Sequence, residues 1–302
     1  MLNGAADRNG PPVAVVTGTS TGIGRSSVIH LARHGYQVVA TMRDPTRARG
    51  LRGELARADV AADIIALDVD RDDSVARAFD EIATRYGRVD VLVNNAGISG
   101  VGTVEDTPME AWQSLFETNL FGVVRCCQAV LPQMRRRGSG HIVNISSVTG
   151  RMATPGQAAY TASKFALEGF SETLANEVAR FGIRVSIVEP GVTVTPIFGK
   201  HRGAPPNSDY GEVYRRMQAL YAALMSRASR PQAVAEVVLN ALTSETPRLR
   251  WPAGDDARAL LAARHALSDD CWLELGRADQ GSYRQLFARY FGVELALDEP
   301  GK

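Results

Sequence analysis

Val13-Ala14-Val15-Val16-Thr17-Gly18-Thr19-Ser20-Thr21-Gly22-Ile23-Gly24 decides how this chain is read. Four small apolar residues without polar alternation make a short strand covered on both faces. A glycine turn follows, and from about Gly24 to His34 the apolar spacing becomes helical. Glycines let the backbone turn tightly and come close to a ligand, and the helix behind them offers its unpaired N–H groups to an anion. A turn without a ligand is the plainer alternative. The G-x-x-x-G-x-G spacing directly after a strand and before a helix instead predicts a dinucleotide pyrophosphate site, with Gly18, Ser20, Thr21, Gly22, Ile23 and Gly24 as its contacts.

Outward from this stretch the same alternation repeats. Strands are expected at Gln37–Thr41, Ile64–Leu67, Val89–Val93, His141–Ile145 and Arg184–Val188, with a seventh at Arg248–Trp251. Helical segments fall near 46–58, 72–86, 108–136 and 156–181. Strands alternating with helices predict an α/β fold, a doubly wound parallel sheet with helices on both faces. Residues 190–209 hold four prolines and read as a loop or lid. Helical patterns resume near 210–227 and 232–243, and the fifty or so residues after Trp251 read as further helix, for example 255–267 and 282–290. The 302 residues suggest two domains by length alone, but the motif order favours one. The expected organisation is a flexible lead-in over 1–12, a catalytic domain over 13–250 and a helical extension over 251–302 packed on it.

Composition narrows the classes. Lys plus Arg is 34 against 33 Asp plus Glu, so no broad electrostatic footprint for nucleic acid is expected. No apolar run approaches a membrane span. Three cysteines make no disulfide framework; Cys126, Cys127 and Cys271 read as free thiols in a reducing cytoplasm. No metal site is expected. Arg135-Arg136-Arg137 sits before Gly138, where a helix should end, and complements the helix dipole.

The strand ends carry the chemistry. The second strand runs into Thr41-Met42-Arg43-Asp44. An acidic residue at this place commonly holds the ribose hydroxyls of NAD, and an arginine takes the 2′-phosphate of NADP. Uncharged Thr41 and Met42 followed by Arg43 favour NADP(H), while Asp44 keeps NAD(H) open, as does a solvated Arg43 paired with Asp44. Asp68, before Val69, could accept from an adenine amino group or cap the next helix. Asn95, Ala96 and Gly97 make a tight turn able to run beside a flat ligand. Ser147 stands thirteen residues before Tyr160, and Tyr160 and Lys164 are at i and i+4, on one helix face. An ammonium beside a phenol lowers the phenol's pKa and makes Tyr160 a proton donor or acceptor near neutral pH. The Ser147 hydroxyl can hydrogen-bond a substrate carbonyl. Asn119, inside an apolar helix, needs a buried partner, such as a water or a backbone carbonyl near Lys164.

These ordered motifs, over roughly residues 13–245, resemble the short-chain dehydrogenases and reductases. The resemblance implies a Rossmann-type fold with a seven-stranded parallel sheet. It further implies that Lys164 also binds the nicotinamide ribose, that Asn119 anchors a proton-relay water, and that Pro190, Gly191, Thr193 and Thr195 cradle the nicotinamide. Tyr160 is then the general acid/base for interconverting a secondary alcohol and a ketone or aldehyde, and a homodimer or homotetramer built on the long helices is implied. Substrate contacts would come from Ser147, Tyr160, Met152, Gln157 and Phe198. Tyr210, Tyr214, Met217 and Leu220 are equally readable as pocket or packing residues. Ala40–Asp44, the Tyr160–Glu172 run and Arg250-Trp251-Pro252 are similar to the hydroxysteroid and retinol dehydrogenase branch.

Two other readings stand beside this one. A non-catalytic nucleotide sensor or scaffold could use the same fold, though such a protein would usually have lost one of the four catalytic residue types. An epimerase or dehydratase would resemble a different glycine spacing and carry a larger substrate domain.

Overall fold

The computed structural model of the protein describes residues 10–196, 205 and 207–297. Seven parallel strands form one sheet in the order β3-β2-β1-β4-β5-β6-β7. They are β1 (Val13–Val16), β2 (Gln37–Met42), β3 (Asp63–Ala66), β4 (Val91–Asn94), β5 (Gly140–Ile145), β6 (Ile183–Pro190) and β7 (Arg250–Ala253). The crossover helices are α1 (Gly22–Arg33), α2 (Arg49–Ala58), α3 (Asp72–Tyr86), α4 (Met109–Phe116), α5 (Gly122–Arg137), α6 (Ala158–Ala179), α7 (Gly211–Met225) and α8 (Pro231–Thr243). Three further helices, α9 (Asp255–Ala266), α10 (Asp269–Arg277) and α11 (Gln280–Phe291), follow the sheet. Strand order reverses between β1 and β4, and a crevice opens at the carboxyl ends of the strands where that happens.

The unalternating apolar strands are explained by two cores. On one face Val13, Val15, Leu92 and Ile142 pack with Val123, Val130 and Leu167 of α5 and α6. On the other, Ala14, Val16, Val93 and Val143 pack with Val28, Leu31, Val234 and Val238 of α1 and α8. Every second strand residue therefore finds apolar neighbours on one side of the sheet or the other. A third cluster joins Met152, Val192, Leu220 and Leu224 to Leu260, Leu275, Phe287 and Phe291, and so seals α9, α10 and α11 against α7.

Two departures from the expected elements have a clear physical reason. β7 is Arg250–Ala253, two residues later than Arg248–Trp251, and so it runs across the expected boundary at 250/251. Trp251 ties its indole N–H to the Arg248 carbonyl, and Pro252 is tolerated because β7 is an edge strand. The long helix near 108–136 is broken by a π turn over Glu117–Phe121, in which Gly122 N–H reaches the Glu117 carbonyl. Helix α10 falls in the stretch read as further helix, and Ser268 caps it by accepting from Cys271 N–H at 3.3 Å.

Candidate active site

The carboxyl ends of β1 and β4 are laced together before any ligand is considered. Thr17 Oγ1 accepts from Asn95 N–H and Ala96 N–H, both at 3.0 Å. The Asn95 side-chain amide donates to the Thr17 carbonyl at 2.8 Å and the Gly18 carbonyl at 3.0 Å. The chain at Gly18 must take φ +70°, and a Cβ there would lie 2.7 Å from Ala96 Cα, so only glycine fits. Gly24 is packed against Asn95 and lies behind the cleft wall, whereas Gly18, Ser20, Thr21, Gly22 and Ile23 line it. Helix α1 begins at Gly22 with no side-chain cap, so its first N–H groups are spent on no side chain. A glycine cradle ahead of an uncapped helix N-terminus fits a pyrophosphate.

One cleft collects residues from the ends of β1 to β6. It is lined by Arg43, Asp68, Val69, Asn95, Ala96, Gly97, Ser147, Met152, Gln157, Tyr160, Lys164, Pro190, Gly191, Thr193 and Thr195. Phe198 lies outside the described residues. Arg43 is exposed at the rim; Asp44 turns away and accepts from Thr46 N–H at 3.0 Å and Thr46 Oγ1 at 2.6 Å. Asp68 accepts from Asp70 N–H at 3.3 Å and does not cap α3, whose N-cap is Arg71.

The side chains expected to react come from the turn after β5 and from α6. Ser147 lies two residues beyond β5 and accepts from Thr149 N–H at 3.2 Å, capping a short 3-10 turn over Val148–Gly150. Tyr160 is half-buried one turn into α6. Lys164 is buried, donates to the Ile145 carbonyl at 3.0 Å and lies 5.9 Å from the centroid of the Tyr160 ring. Burial lowers the Lys164 ammonium to about 8, and Glu168 pulls it partly back up. The expected lowering of the Tyr160 pKa is not seen. Burial raises the phenol, and the Ser147 and Thr149 side chains oppose it only in part; the ammonium is engaged by the Ile145 carbonyl.

Asn119 is held by backbone and side-chain partners. It lies in the π turn, behind the cleft wall. Its Oδ1 accepts from Ile98 N–H at 2.9 Å, and its amide donates to the Ile98 carbonyl at 2.9 Å and Ser163 Oγ at 3.0 Å. The buried partners are thus the backbone of Ile98 and the Ser163 hydroxyl. A Cβ on Gly97 would stand 3.3 Å from Asn119 Oδ1 and 3.9 Å from Lys164 Nζ, so both side chains back the same turn.

The outer wall was largely unread in the sequence. Val192, Leu220, Tyr221, Leu224 and Leu260 face the cleft together with Met152. Of the ambiguous residues near the lid, Leu220 reaches it, while Tyr214 donates to Asp106 at 2.8 Å and Tyr210 to Glu105 at 2.8 Å. Met217 packs beneath Gly156. Gln157 is buried and accepts from the Tyr221 hydroxyl at 2.5 Å, which ties α7 to the start of α6. Asp70 also lines the cleft; burial raises its carboxyl, and Thr118 donates to it at 3.1 Å. No spacing rule points to such residues, because they meet only once α7 and α9 fold back over the sheet.

Comparison with known proteins agrees with this geometry. The sequence model of the short chain dehydrogenases matches residues 12–205. Retinol dehydrogenase 8 of Bos taurus is 40% identical over 257 residues, covering 80% of this chain and 80% of that protein. The crystal structure of a short-chain dehydrogenase from Streptomyces avermitilis is 38% identical, with a TM-score of 0.78 over 92% of this chain and 99% of that one. An actinorhodin polyketide ketoreductase solved with NADPH is 34% identical, with a TM-score of 0.71 over 80% of this chain and 95% of that one. A glycine turn after β1, a cleft at the switch point and a family match over this span have one joint reading: the chain belongs to the short-chain dehydrogenases and reductases and is an NAD(P)-dependent oxidoreductase.

Proposed function

We propose that the protein interconverts an apolar secondary alcohol and its ketone or aldehyde, with NADP(H) as the preferred cofactor. The observation that carries this reading is the meeting of Ser147, Tyr160 and Lys164 in one cleft with the glycine turn. Gly18 to Ile23 would hold the pyrophosphate, Arg43 the 2′-phosphate, Asp68 and Val69 the adenine, and Pro190 to Thr195 the nicotinamide. The cofactor, when bound, supplies or accepts the hydride. Tyr160 delivers its phenolic proton to the carbonyl oxygen in reduction, or takes the hydroxyl proton in oxidation. Ser147 donates a hydrogen bond to the same oxygen and stabilises its developing charge. The Lys164 cation favours the phenolate form that remains.

Support for NADP(H) comes from Arg43 at the rim and from Asp44, which is committed to Thr46. The neighbouring ketoreductase structure with NADPH agrees with it. Support for an apolar substrate comes from Met152, Val192, Leu220, Leu224 and Leu260 on the outer wall, and from the likeness to a retinol dehydrogenase. The buried thiols of Cys126 and Cys127 suit a reducing cytoplasm, and among the described residues no helix is long and apolar enough to cross a membrane. The extension over 251–302 is read as the part that completes the outer wall, and the long helices α4 to α6 as the subunit contact.

Fluorescence titration with NADPH and NADH, then turnover of steroid, retinoid, aliphatic and quinone carbonyls, tests the proposal. Tyr160→Phe is expected to lower turnover by at least 1000-fold with cofactor affinity within about 2-fold of the parent, since proton transfer is lost and binding is not. Retained turnover would remove Tyr160 from its role. Cofactor binding without turnover of any carbonyl would favour the sensor reading.

A further inference from the structure

Helix α9 follows the last strand and carries no motif, yet its first turn touches two strand ends of the site. Asp256 is 8% exposed, and its Oδ2 accepts from Val192 N–H at 2.7 Å. Its Oδ1 accepts from Ala257 N–H at 2.9 Å. The Val192 carbonyl accepts from Ser229 N–H at 2.9 Å, so the Gly191–Val192 segment is gripped from both sides. One position away, a Cβ on Gly191 would stand 2.2 Å from both Asp256 carboxylate oxygens. The next residues of the same turn, Ala257 with Leu261, pack on Val148 in the turn that follows Ser147. Gly191, Val192, Thr193 and Thr195 all line the cleft; Asp256 itself does not.

From this juxtaposition we infer that Asp256 is a positioning residue, which fixes the Gly191–Val192 peptide and through it the wall against which the nicotinamide half of the cofactor rests. The inference builds on the proposed function, in which Pro190 to Thr195 holds that half. A buried carboxylate accepting a backbone N–H makes a strong, directional bond, and losing it leaves the Val192 N–H buried without a partner. The effect should be confined to the nicotinamide end, because Asp256 makes no contact with Gly18 to Ile23 or Arg43. The last fifty or so residues thereby acquire a part in cofactor geometry as well as in covering apolar surface.

The test compares two probes, NADPH and 2′-phospho-ADP-ribose, which lacks the nicotinamide. Asp256→Ala is expected to weaken NADPH at least tenfold and the fragment less than twofold. Asp256→Asn, which keeps one acceptor in the same shape, should fall between parent and Asp256→Ala and serves if the alanine variant folds poorly. Gly191→Ala should reproduce the selective loss by driving its methyl into the carboxylate, and adding it to Asp256→Ala should cost little more. Equal weakening of both probes, or none, overturns the positioning role while leaving the cofactor site intact. Failure of the parent protein to bind either probe overturns the cofactor site and this inference together.

Discussion

Arg43 gains its meaning from what Asp44 does. Both follow β2, and either residue type can select a cofactor at this place. Asp44 spends its carboxylate on Thr46, which lowers its pKa and holds it at the head of a 3-10 turn over Pro45–Ala48. Arg43 is left facing the cleft, where a phosphate would meet a planar fork of donors. Arg43→Ala should therefore weaken NADPH by roughly tenfold or more, about 1.4 kcal/mol, and NADH by less than twofold. Titration of both cofactors checks this, and equal losses would contradict it. Lys164 gives a pH dependence at the same scale. Its pKa of about 8 means that the ammonium is present below that pH and lost above it. Reductive turnover should be level below about pH 8 and fall about tenfold per pH unit above it, as initial rates between pH 6 and 10 would register. A profile flat through pH 8 would show that the lysine charge is not needed.

At the scale of elements, the π turn between α4 and α5 explains what helical periodicity hides. One extra residue in a helix shifts the faces on either side of it, and a single shift inside an apolar run leaves the pattern readable as continuous. That shift turns Asn119 toward Ile98 and Ser163. Replacing Asn119 with alanine would strip both polar groups of Ile98 of their partner. The expected loss is about 2–4 kcal/mol of stability by urea unfolding, with Asn119→Asp, which keeps only the acceptor, falling between. A loss under about 0.5 kcal/mol would show that the loop finds other partners. The same reasoning marks what was legible in the sequence. Glycine turn, strand ends and the Tyr160–Lys164 pair are local in sequence, so spacing alone brings them together. The register of β7 was not legible, since it depends on the Trp251 indole and on an edge position that tolerates Pro252. Nor was the outer wall, which Met152, Leu220 and Leu260 build from three distant segments. Asn119 was legible as a residue in need of a partner but not in the partner it takes.

For the whole molecule, the question is which surface remains uncovered once both sheet faces and the outer wall are packed. Phe121, in the π turn, is 48% exposed, and Phe165, on α6, is 44% exposed. Met109, at the start of α4, is 64% exposed. These lie on helical segments that pack against one another. Large aromatic side chains left in water on neighbouring helices mark a surface that gains free energy when covered. By resemblance to family members that pair these helices, we propose a second copy of the chain as the cover. Because Phe165 directly follows Lys164, such pairing would also stiffen the helix that carries Tyr160. Light scattering at micromolar concentration should give a dimer or tetramer mass for the parent. Phe121→Glu and Phe165→Glu should each shift it toward the monomer with circular dichroism unchanged, since a charge facing its own symmetry mate is repelled and desolvated. A parent protein that is monomeric at that concentration would refute the pairing, and an unchanged oligomer in both variants would move the contact to another face.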